Sequence, residues 1–471
     1  MLVAKIESGK GAVSALRLIS ARTFASAAVQ PQRVPPTERP FLPAPAGLKF
    51  TRLPNGLFLA TIDNRNPVAR ISLVFKAGTR YETTETRGIV HRIRNLIGLS
   101  TNRRSAVDFN HHVASLGAVL SSTASRDHIS IDIQVSRNYT NAALQLLNEL
   151  VGEPFRVHDH ELGASSDQMW HEKNQLKENW PAYSFEKLHK VIYRQHGLAN
   201  SLLSPKYAIG KHRAKDVEDF ALKYLSTGNA TLVATGVDHE DVLKFASNRF
   251  ILGKGGAAPP LPAPKFYSGD ARKQRPGRDY ATVYIAAPAP GLTDVRGTIA
   301  YAVLANVLGT GPTTKYSEGG QSRLARAGRK AVHTPFHVAA SNYGYEDTGI
   351  FSLFYTAYWQ DSGSLAKALV GEVRSVATDG INDKDLQAAK NRLKYRVLAT
   401  AENDDSVIED VAVQAAVRQA DIHLASDQVK LIDSVTTADI QQAAKQLVSG
   451  KFAISSIGRL DKTPYLDELI A

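Results

Sequence analysis

Cysteine is absent from this sequence, and so are long apolar runs. Without a thiol in its 471 residues, the chain has neither disulfide bonds nor thiolate ligands for a metal ion, which suits a reducing compartment. No run of about 18 apolar residues occurs, so the sequence predicts no membrane-spanning helix. The 43% hydrophobic and 22% charged residues are typical of a globular protein, and the chain is long enough for two large cores.

Acidic residues are scarce near the N-terminus. Between residues 1 and 28 the bases Lys5, Lys10, Arg17 and Arg22 are accompanied by a single acid, Glu7. The same stretch contains serines and an apolar stripe at helical spacing. Basic, serine-containing, acid-poor and amphipathic segments are typical of mitochondrial presequences, so we predict a presequence at residues 1–24. Its removal would lower the net charge of the chain from +12 to about +9.

A processing site and an extended arm are predicted next. Residues 22–26 read Arg-Thr-Phe-Ala-Ser and resemble a mitochondrial processing site, which places cleavage between Phe24 and Ala25. The Pro-rich residues 25–45 are expected to form an extended arm. The remaining positive charge could serve nucleic acids, anionic lipids or acidic partner subunits. Because no nucleic-acid-binding module is found, the pattern favours the lipids or the partner subunits.

An internal repeat is the strongest sign of organisation. Residues 204–236 align without a gap with residues 426–458, and both copies predict a helix, a glycine-bearing turn and a short apolar strand. A strand followed by a long helix also occurs twice upstream. The predicted strands are Val68–Phe75, 128–135, 281–287 and Gly349–Tyr358, and the predicted helices are 88–99, 139–151, 296–308, 365–377 and 383–396, the last capped by Asp383.

Glycine and proline separate the two copies of the repeat. Residues 253–265 are glycine-rich and then proline-rich, a composition typical of a linker. We therefore predict an α+β protein with two homologous halves, each an antiparallel sheet backed by helices. The N-terminal half is residues 46–252 and the C-terminal half is residues 266–471.

Residues 88–98 contain the chemically informative motif, Gly-Ile-Val-His-Arg-Ile-Arg-Asn-Leu-Ile-Gly. It resembles the inverted zinc motif His-x-x-Glu-His of the insulinase and processing-peptidase family, in which two histidines share a metal ion and the Glu activates water. In this chain the first ligand position is His91, the base position is Arg94 and the second ligand position is Asn95. Glu172, about eighty residues further on, matches the remaining ligand of the family.

The charges at these positions oppose zinc binding. At about 5 Å and an effective dielectric constant of about 20, one positive charge opposes a dication by roughly 6–7 kcal/mol. Arginine stays protonated and cannot take a proton from water, and an asparagine amide is a poor zinc ligand beside imidazole. The pattern therefore predicts a degenerate site with no catalytic residue, no bound metal and no cofactor.

The family resemblance covers nearly the whole mature chain and implies a second loss. Active relatives hold substrate with an Arg and a Tyr from the second half, and the aligned residues here are Val332 and Phe336. The departures are similar to those of the core-subunit branch of the family. That branch implies a non-catalytic peripheral subunit on the matrix side of the mitochondrial inner membrane, paired with core protein 1 and other subunits of respiratory complex III.

Two alternative functions stay open at this point. One is a residual zinc metalloendopeptidase that acts on presequences together with core protein 1. The other is the non-catalytic subunit of the matrix processing peptidase, whose glycine-rich loop would fall at residues 308–320. That loop is shorter and more polar here than the resemblance implies for such a subunit.

Overall fold

The computed structural model describes residues 47–152, 155–250, 252–253, 256–275, 277–312 and 322–470. The predicted presequence, the Pro-rich arm and the cleavage position at Phe24 and Ala25 lie outside these residues. Most of the candidate glycine-rich loop, from residue 313 to residue 320, also lies outside them.

The first sheet belongs to the N-terminal half. In chain order its strands are β1 (Leu48–Arg52), β2 (Phe58–Ile62), β3 (Val68–Phe75), β4 (Val119–Ala124), β5 (Ile129–Ser136) and β6 (Ala230–Thr235). They lie side by side as β1-β2-β6-β3-β5-β4, and β2 with β6 is the parallel pair among antiparallel neighbours. The helices of this half are α1 (Ile89–Leu96), α2 (Ala106–Ser115), α3 (Thr140–Val151), α4 (Asp159–Glu178), α5 (Trp180–Tyr193), α6 (Ala214–Tyr224) and α7 (His239–Asn248).

The second sheet repeats this plan in the C-terminal half. Its strands are β7 (Gly269–Gln274), β8 (Tyr280–Ala289), β9 (Thr310–Gly311), β10 (Phe336–Gly344), β11 (Gly349–Tyr358) and β12 (Ala453–Gly458). Their order is β7-β12-β8-β11-β10-β9, with β7 and β12 parallel. The helices are α8 (Val295–Leu308), α9 (Arg323–Ala331), α10 (Ser362–Asp379), α11 (Asp383–Ala401), α12 (Asp404–Arg418), α13 (Ala425–Ser434), α14 (Thr437–Ser449) and α15 (Leu466–Ile470).

Five strands correspond between the halves. The order β2-β6-β3-β5-β4 of the first sheet matches β7-β12-β8-β11-β10 of the second. The first sheet adds β1 at one edge, and the second adds β9 at the opposite edge. The predicted α+β class with two related halves is confirmed. Each sheet also contains one parallel pair, because the last strand of each half comes back after a long helical crossover and lies beside an early strand in the same direction.

Alternation along the strands gives each sheet one face for its own core. Ile131 and Ile133 of β5 point into the first core beside Leu147 of α3, and Asp132 lies on the opposite face. Phe351 of β11 is likewise buried in the second core. Each half therefore has its own hydrophobic core, as expected for a chain of this length.

The outer face of each sheet is covered by a helix from the other half. We call the contact of α12 with the first sheet the first seam; it joins Ile408, Val411 and Ala415 to Val74 and Val233. This contact buries apolar side chains that a single half would leave exposed.

The contact of α5 with the second sheet is the second seam. It joins Leu188 and Ile192 to Tyr284, Ile350 and Ala453. The two helices occupy equivalent places in the repeat, since α5 follows α4 and α12 follows α11. Each half therefore covers the outer face of the other half's sheet with the equivalent helix.

One predicted helix cap is wrong. The side chain of Asn382, not that of Asp383, accepts the hydrogen bond from the backbone N–H of Asp385, at 2.7 Å. Asn382 has extended backbone angles, as an N-cap residue does, whereas Asp383 is already in the first helical turn. Among the helices in the described ranges, none is both long enough and apolar enough to cross a bilayer.

Candidate functional site: a charged contact between two helices

Helix α1 carries the motif residues, and its start is fixed by Gly88 and Glu82. Gly88 has φ +89°, and a Cβ at this position would come within 2.2 Å of the Ser204 hydroxyl oxygen. The Glu82 carboxyl accepts hydrogen bonds from the backbone N–H groups of Gly88 (2.9 Å) and Val90 (3.0 Å). Burial outweighs these bonds and raises the pKa of Glu82 to about 7.

His91 is buried on the side of α1 that faces α4. Its Nε2 lies 2.6 Å from Oε2 of Glu172, and its Nδ1 accepts a hydrogen bond from the backbone N–H of Ser204 at 3.1 Å. Because Nδ1 is an acceptor, the ring proton lies on Nε2 and points at the carboxylate. Burial, together with the charge of Arg94, lowers the pKa of His91, so the imidazole is neutral.

The Glu172 carboxylate is fully engaged by donors. Oε2 accepts from His91 and from the Arg94 guanidinium, and Oε1 accepts from the Gln168 amide at 3.0 Å. Burial alone would raise the pKa of Glu172, but the bonds from His91 and Gln168 and the charge of Arg94 lower it overall. Glu172 is therefore an ionised carboxylate whose oxygens already have partners.

Asn95 turns away from this cluster of charges. Its side-chain amide donates to the backbone carbonyl of His91 at 2.9 Å, within its own helix. The structure thus brings His91, Arg94 and Glu172 together as the sequence predicted. Asn95 lies on the same helix but contributes to the helix backbone rather than to the cluster.

These residues do not fit a zinc ion. Both ring nitrogens of His91 have hydrogen-bond partners. The Arg94 guanidinium donates to the Glu172 carboxylate, which would have to bind the dication. Zinc needs three protein ligands with free lone pairs, and a fixed cation next to them repels it. The described ranges contain no group of three or more His, Asp or Glu side chains placed to hold a metal ion.

Sequence reasoning missed a second link between α1 and α4. Arg92 is fully buried, and its guanidinium donates to the Leu162 carbonyl (2.8 Å), the Ser165 hydroxyl (2.9 Å) and the Ser166 hydroxyl (3.0 Å). Nothing in the pattern marks an arginine as buried. Gln168 could have been found, because it lies four residues before Glu172 on the same helix.

Val332 and Phe336 belong to the packing of the C-terminal half. Val332 ends α9 and is buried in the second core, at 4% exposure. Phe336 begins β10, and its ring lies against Gly328 of α9. Their assignment as lost substrate-holding positions stays a prediction.

Comparison with known proteins gives the family. The model of the insulinase family (peptidase family M16) matches residues 58–206, and that of the peptidase M16 inactive domain matches residues 212–393. Mitochondrial cytochrome b-c1 complex subunit 2 of Homo sapiens is 33% identical over 429 residues, 91% of this chain and 93% of that protein. The chain belongs to the insulinase family. Its resemblance to the core-subunit branch of peptidase family M16, first suggested by the motif, is confirmed.

Two further matches have lower identity to this chain. A probable mitochondrial-processing peptidase subunit alpha-2 of Arabidopsis thaliana is 25% identical, over 90% of this chain and 85% of that protein. Among solved structures, a chain of complex III2 from Candida albicans with Inz-5 bound matches with a TM-score of 0.78. That match covers 90% of this chain and 99% of the other at 17% identity, so it shows the shared fold.

Proposed function

We infer that this protein is a non-catalytic core subunit of mitochondrial ubiquinol–cytochrome c reductase, the cytochrome b-c1 complex. The observation that carries this is the 33% identity to human cytochrome b-c1 complex subunit 2 along 91% of the chain. In this role the protein supports the assembly and stability of the redox subunits in respiratory electron transport. It contributes no redox centre of its own.

The contact between α1 and α4 supports the non-catalytic role. An M16 hydrolase needs a metal-bound water and a carboxylate to deprotonate it. Here a guanidinium lies where that carboxylate would be, and the neutral His91 donates to Glu172 instead of binding a metal. We propose that His91, Arg94, Asn95 and Glu172 are the remains of a zinc site that now joins two helices.

The second part of the proposal concerns the location of the subunit in the cell. The acid-poor N-terminal 24 residues and the mitochondrial relatives support a mitochondrial protein. We propose that it lies peripherally on the matrix side of the inner membrane and pairs with core protein 1. N-terminal sequencing of the mature protein, with Ala25 as the expected first residue, tests the presequence.

Native gel separation of mitochondrial membranes tests the main proposal. The chain should migrate in a band that stains for haem, and mass spectrometry should identify it there together with the other subunits of the complex. Comigration with an active presequence peptidase, in a band without haem, would instead indicate the non-catalytic subunit of the processing peptidase. Chelator-sensitive cleavage by the isolated chain would indicate a residual metalloendopeptidase.

Rebuilding the motif tests the proposed origin of the site. The double variant Arg94→Glu with Asn95→His should bind about one zinc ion per chain, measured by metal analysis after dialysis, because it restores the second histidine ligand and replaces the cation with the carboxylate of the motif. The single variant Asn95→His, which keeps Arg94, is the control and should bind little. Proteolysis should stay low, since Val332 and Phe336 still replace the substrate-holding groups. Stoichiometric zinc in the unaltered protein would overturn the assignment.

A further inference from the structure

We give the name lysine patch to five lysines: Lys173 and Lys177 of α4, Lys187 of α5, Lys206 of the short helix that follows, and Lys211, whose ammonium lies over the ring of Tyr207, the residue after Lys206. Burial, followed by the charges of Lys177, Lys187 and Lys206, lowers the pKa of Lys173 to about 8 even though Glu186 opposes the shift. Geometry brings these lysines to one side of α4: Lys173 contacts the carbonyl of Ser204, two residues before Lys206, and the Lys206 ammonium lies over the Trp170 ring of α4.

The contacts of the lysine patch are with neutral groups. Lys173 donates to the Ser204 carbonyl at 2.6 Å, and Lys177 donates to the Asn174 amide oxygen at 2.6 Å. In the described part of the chain, the lysines that form ion pairs are Lys76, Lys394 and Lys430, none of which belongs to the patch.

Two of the acids beside the patch are already paired. Glu172 is held by His91 and Arg94, and Glu186 is held by the guanidinium of Arg126 at 2.7 Å. Glu178 follows Lys177 in the chain but forms no ion pair with it in the described structure. Within the residues that the structure describes, none of the five lysines is therefore in an ion pair with a carboxylate.

Aromatic rings lie among these charges. The Lys206 ammonium lies 5.7 Å from the centre of the Trp170 ring, and the Lys211 ammonium lies 5.6 Å from that of Tyr207. Trp170 is 37% exposed and Tyr207 is 55% exposed. Tryptophan and tyrosine are enriched at protein interfaces, where they provide large contact areas at a low entropic cost.

We propose that the lysine patch, with Trp170 and Tyr207, is the docking surface for an acidic segment of another polypeptide in the assembly. The inference rests on the proposed function for the nature of that assembly. The carboxylates of the segment would pair with the lysines, and its side chains would pack on the two exposed rings. The positive charge of the patch indicates the partner's chemistry, since these lysines form no ion pair in the described part of the chain.

A protein segment suits this surface better than a lipid headgroup layer. Lys173, Lys177 and Lys187 are half-buried between α4, α5 and the turns, while Lys206 and Lys211 are exposed. A flat layer of headgroups reaches the exposed lysines but not the recessed ones. Carboxylates on a polypeptide can enter between the elements and meet both sets.

Zero-length carbodiimide cross-linking of intact mitochondrial membranes tests the proposal. This reagent joins a lysine amine to a carboxylate that is already in contact with it. We expect mass spectrometry to find Lys177, Lys187, Lys206 or Lys211 joined to Asp or Glu residues of a different chain in the haem-staining band. The exposed lysines Lys244, Lys367 and Lys445, which lie elsewhere, should give no such links. If the chain is in that band and the patch lysines form no links, the docking surface is refuted while the proposed function stands.

A charge-matched pair of variants sharpens the test with purified protein. Lys177→Gln/Lys187→Gln/Lys206→Gln removes three charges from the patch, and Lys244→Gln/Lys367→Gln/Lys445→Gln removes three elsewhere. The probe is a fluorescent twelve-residue peptide of glutamate and leucine. Its affinity should fall about tenfold in the patch variant, the effect expected for three ion pairs that water partly screens, and little in the control.

The same variants distinguish the two anionic partners. Vesicles of phosphatidylcholine with cardiolipin should bind the unaltered protein weakly and equally in both variants. Equal loss of peptide binding in the two variants would overturn the proposal, because net charge alone would then explain it. Vesicle binding that depends on the patch, without peptide binding, would overturn it in favour of a lipid surface.

Discussion

Helix α12 lies on the first sheet through three alanines together with Ile408 and Val411, whereas α5 lies on the second sheet through larger side chains. The first seam buries Ala412, Ala415 and Ala416 of α12. The second buries Leu188, Ile192 and Tyr193 of α5, and its Phe185 ring lies 5.4 Å from that of Tyr284. Two equivalent helices therefore cover the two sheets with side chains of different size, largely alanine in α12 and mostly larger residues in α5.

The polar contacts beside the seams differ in the same way. Next to the second seam, Arg80 is 3% exposed at its side chain and bridges Asp127 at 2.6 Å and Asp347 at 2.9 Å. Next to the first, Arg70 pairs with Asp404 and Asp405, and the Asp405 side chain is 62% exposed. The second seam therefore holds the halves through buried charge, and the first through a contact that water partly screens.

The largest expected effect is the loss of the buried arginine. Arg80→Met leaves two carboxylates without their cation and should lower the free energy of unfolding by about 3–5 kcal/mol. Arg70→Met, at the half-exposed pair, should cost about 1 kcal/mol. Urea denaturation followed by circular dichroism measures both. Equal losses of unfolding free energy in the two variants would show that burial does not distinguish the two seams.

The two seams should be destabilised by opposite changes in side-chain volume. Leu188→Ala leaves a cavity in the second seam and should cost about 2–5 kcal/mol. Ala415→Leu adds volume to the close contact of the first seam and should cost about 1–3 kcal/mol.

A surface leucine provides the control for these two variants. Leu398 is 50% exposed, so Leu398→Ala should change stability by about 0.5 kcal/mol or less. Thermal unfolding of the three variants makes the comparison. A harmless Ala415→Leu would mean that the alanines of α12 do not set the distance between helix and sheet.

Acidification should weaken the second seam first. His189 of α5 is buried against Tyr345 and Phe185, and burial, with the charge of Arg126, holds its pKa well below the usual value. A histidine with a lowered folded pKa stabilises the protein above about pH 6.5 and loses that contribution as the pH falls. The cost should be about 1.4 kcal/mol for each pH unit below 6.5 until the folded pKa is reached.

The first seam should respond to acid less than the second, because the raised pKa of Asp132 offsets the lowered pKa of the neighbouring buried His128. Burial raises the pKa of Asp132 on the outer face of the first sheet, so protonation at low pH favours the folded state. Amide hydrogen exchange at pH 7 and pH 5 should therefore show faster opening of α5 than of α12. In His189→Gln the pH dependence of α5 should be lost. Faster opening of α12 would reverse the comparison.

The smallest effect is expected at the contact between α1 and α4, away from both seams. Arg94 and Glu172 are 25% and 18% exposed at their side chains. Arg94→Gln keeps a hydrogen-bond donor and should cost about 1 kcal/mol, because water screens the pair and His91 still donates to Glu172. Arg94→Glu should cost more through repulsion of Glu172. Urea denaturation would contradict this if Arg94→Gln were as damaging as Arg80→Met.

Periodicity located the strands well and the exchanged helices poorly. Val68–Phe75 and Gly349–Tyr358 were predicted with the bounds that the structure gives, because alternation over eight to ten residues is a strong signal. Neither α5 nor α12 was predicted. The apolar face of α12 consists largely of alanine, and alanine contrasts weakly with polar residues in a helical pattern.

The sequence by itself determined the family and the duplicated α+β plan, and it predicted the loss of the zinc ligands, because those depend on residue types at fixed spacing. It also placed Glu172 opposite His91. Only the tertiary structure decided that Arg94 donates to the Glu172 carboxylate, that Arg92 is buried between α1 and α4, and that each half covers the other's sheet. Such contacts join residues far apart in the chain, and their energies depend on burial, which no local pattern encodes.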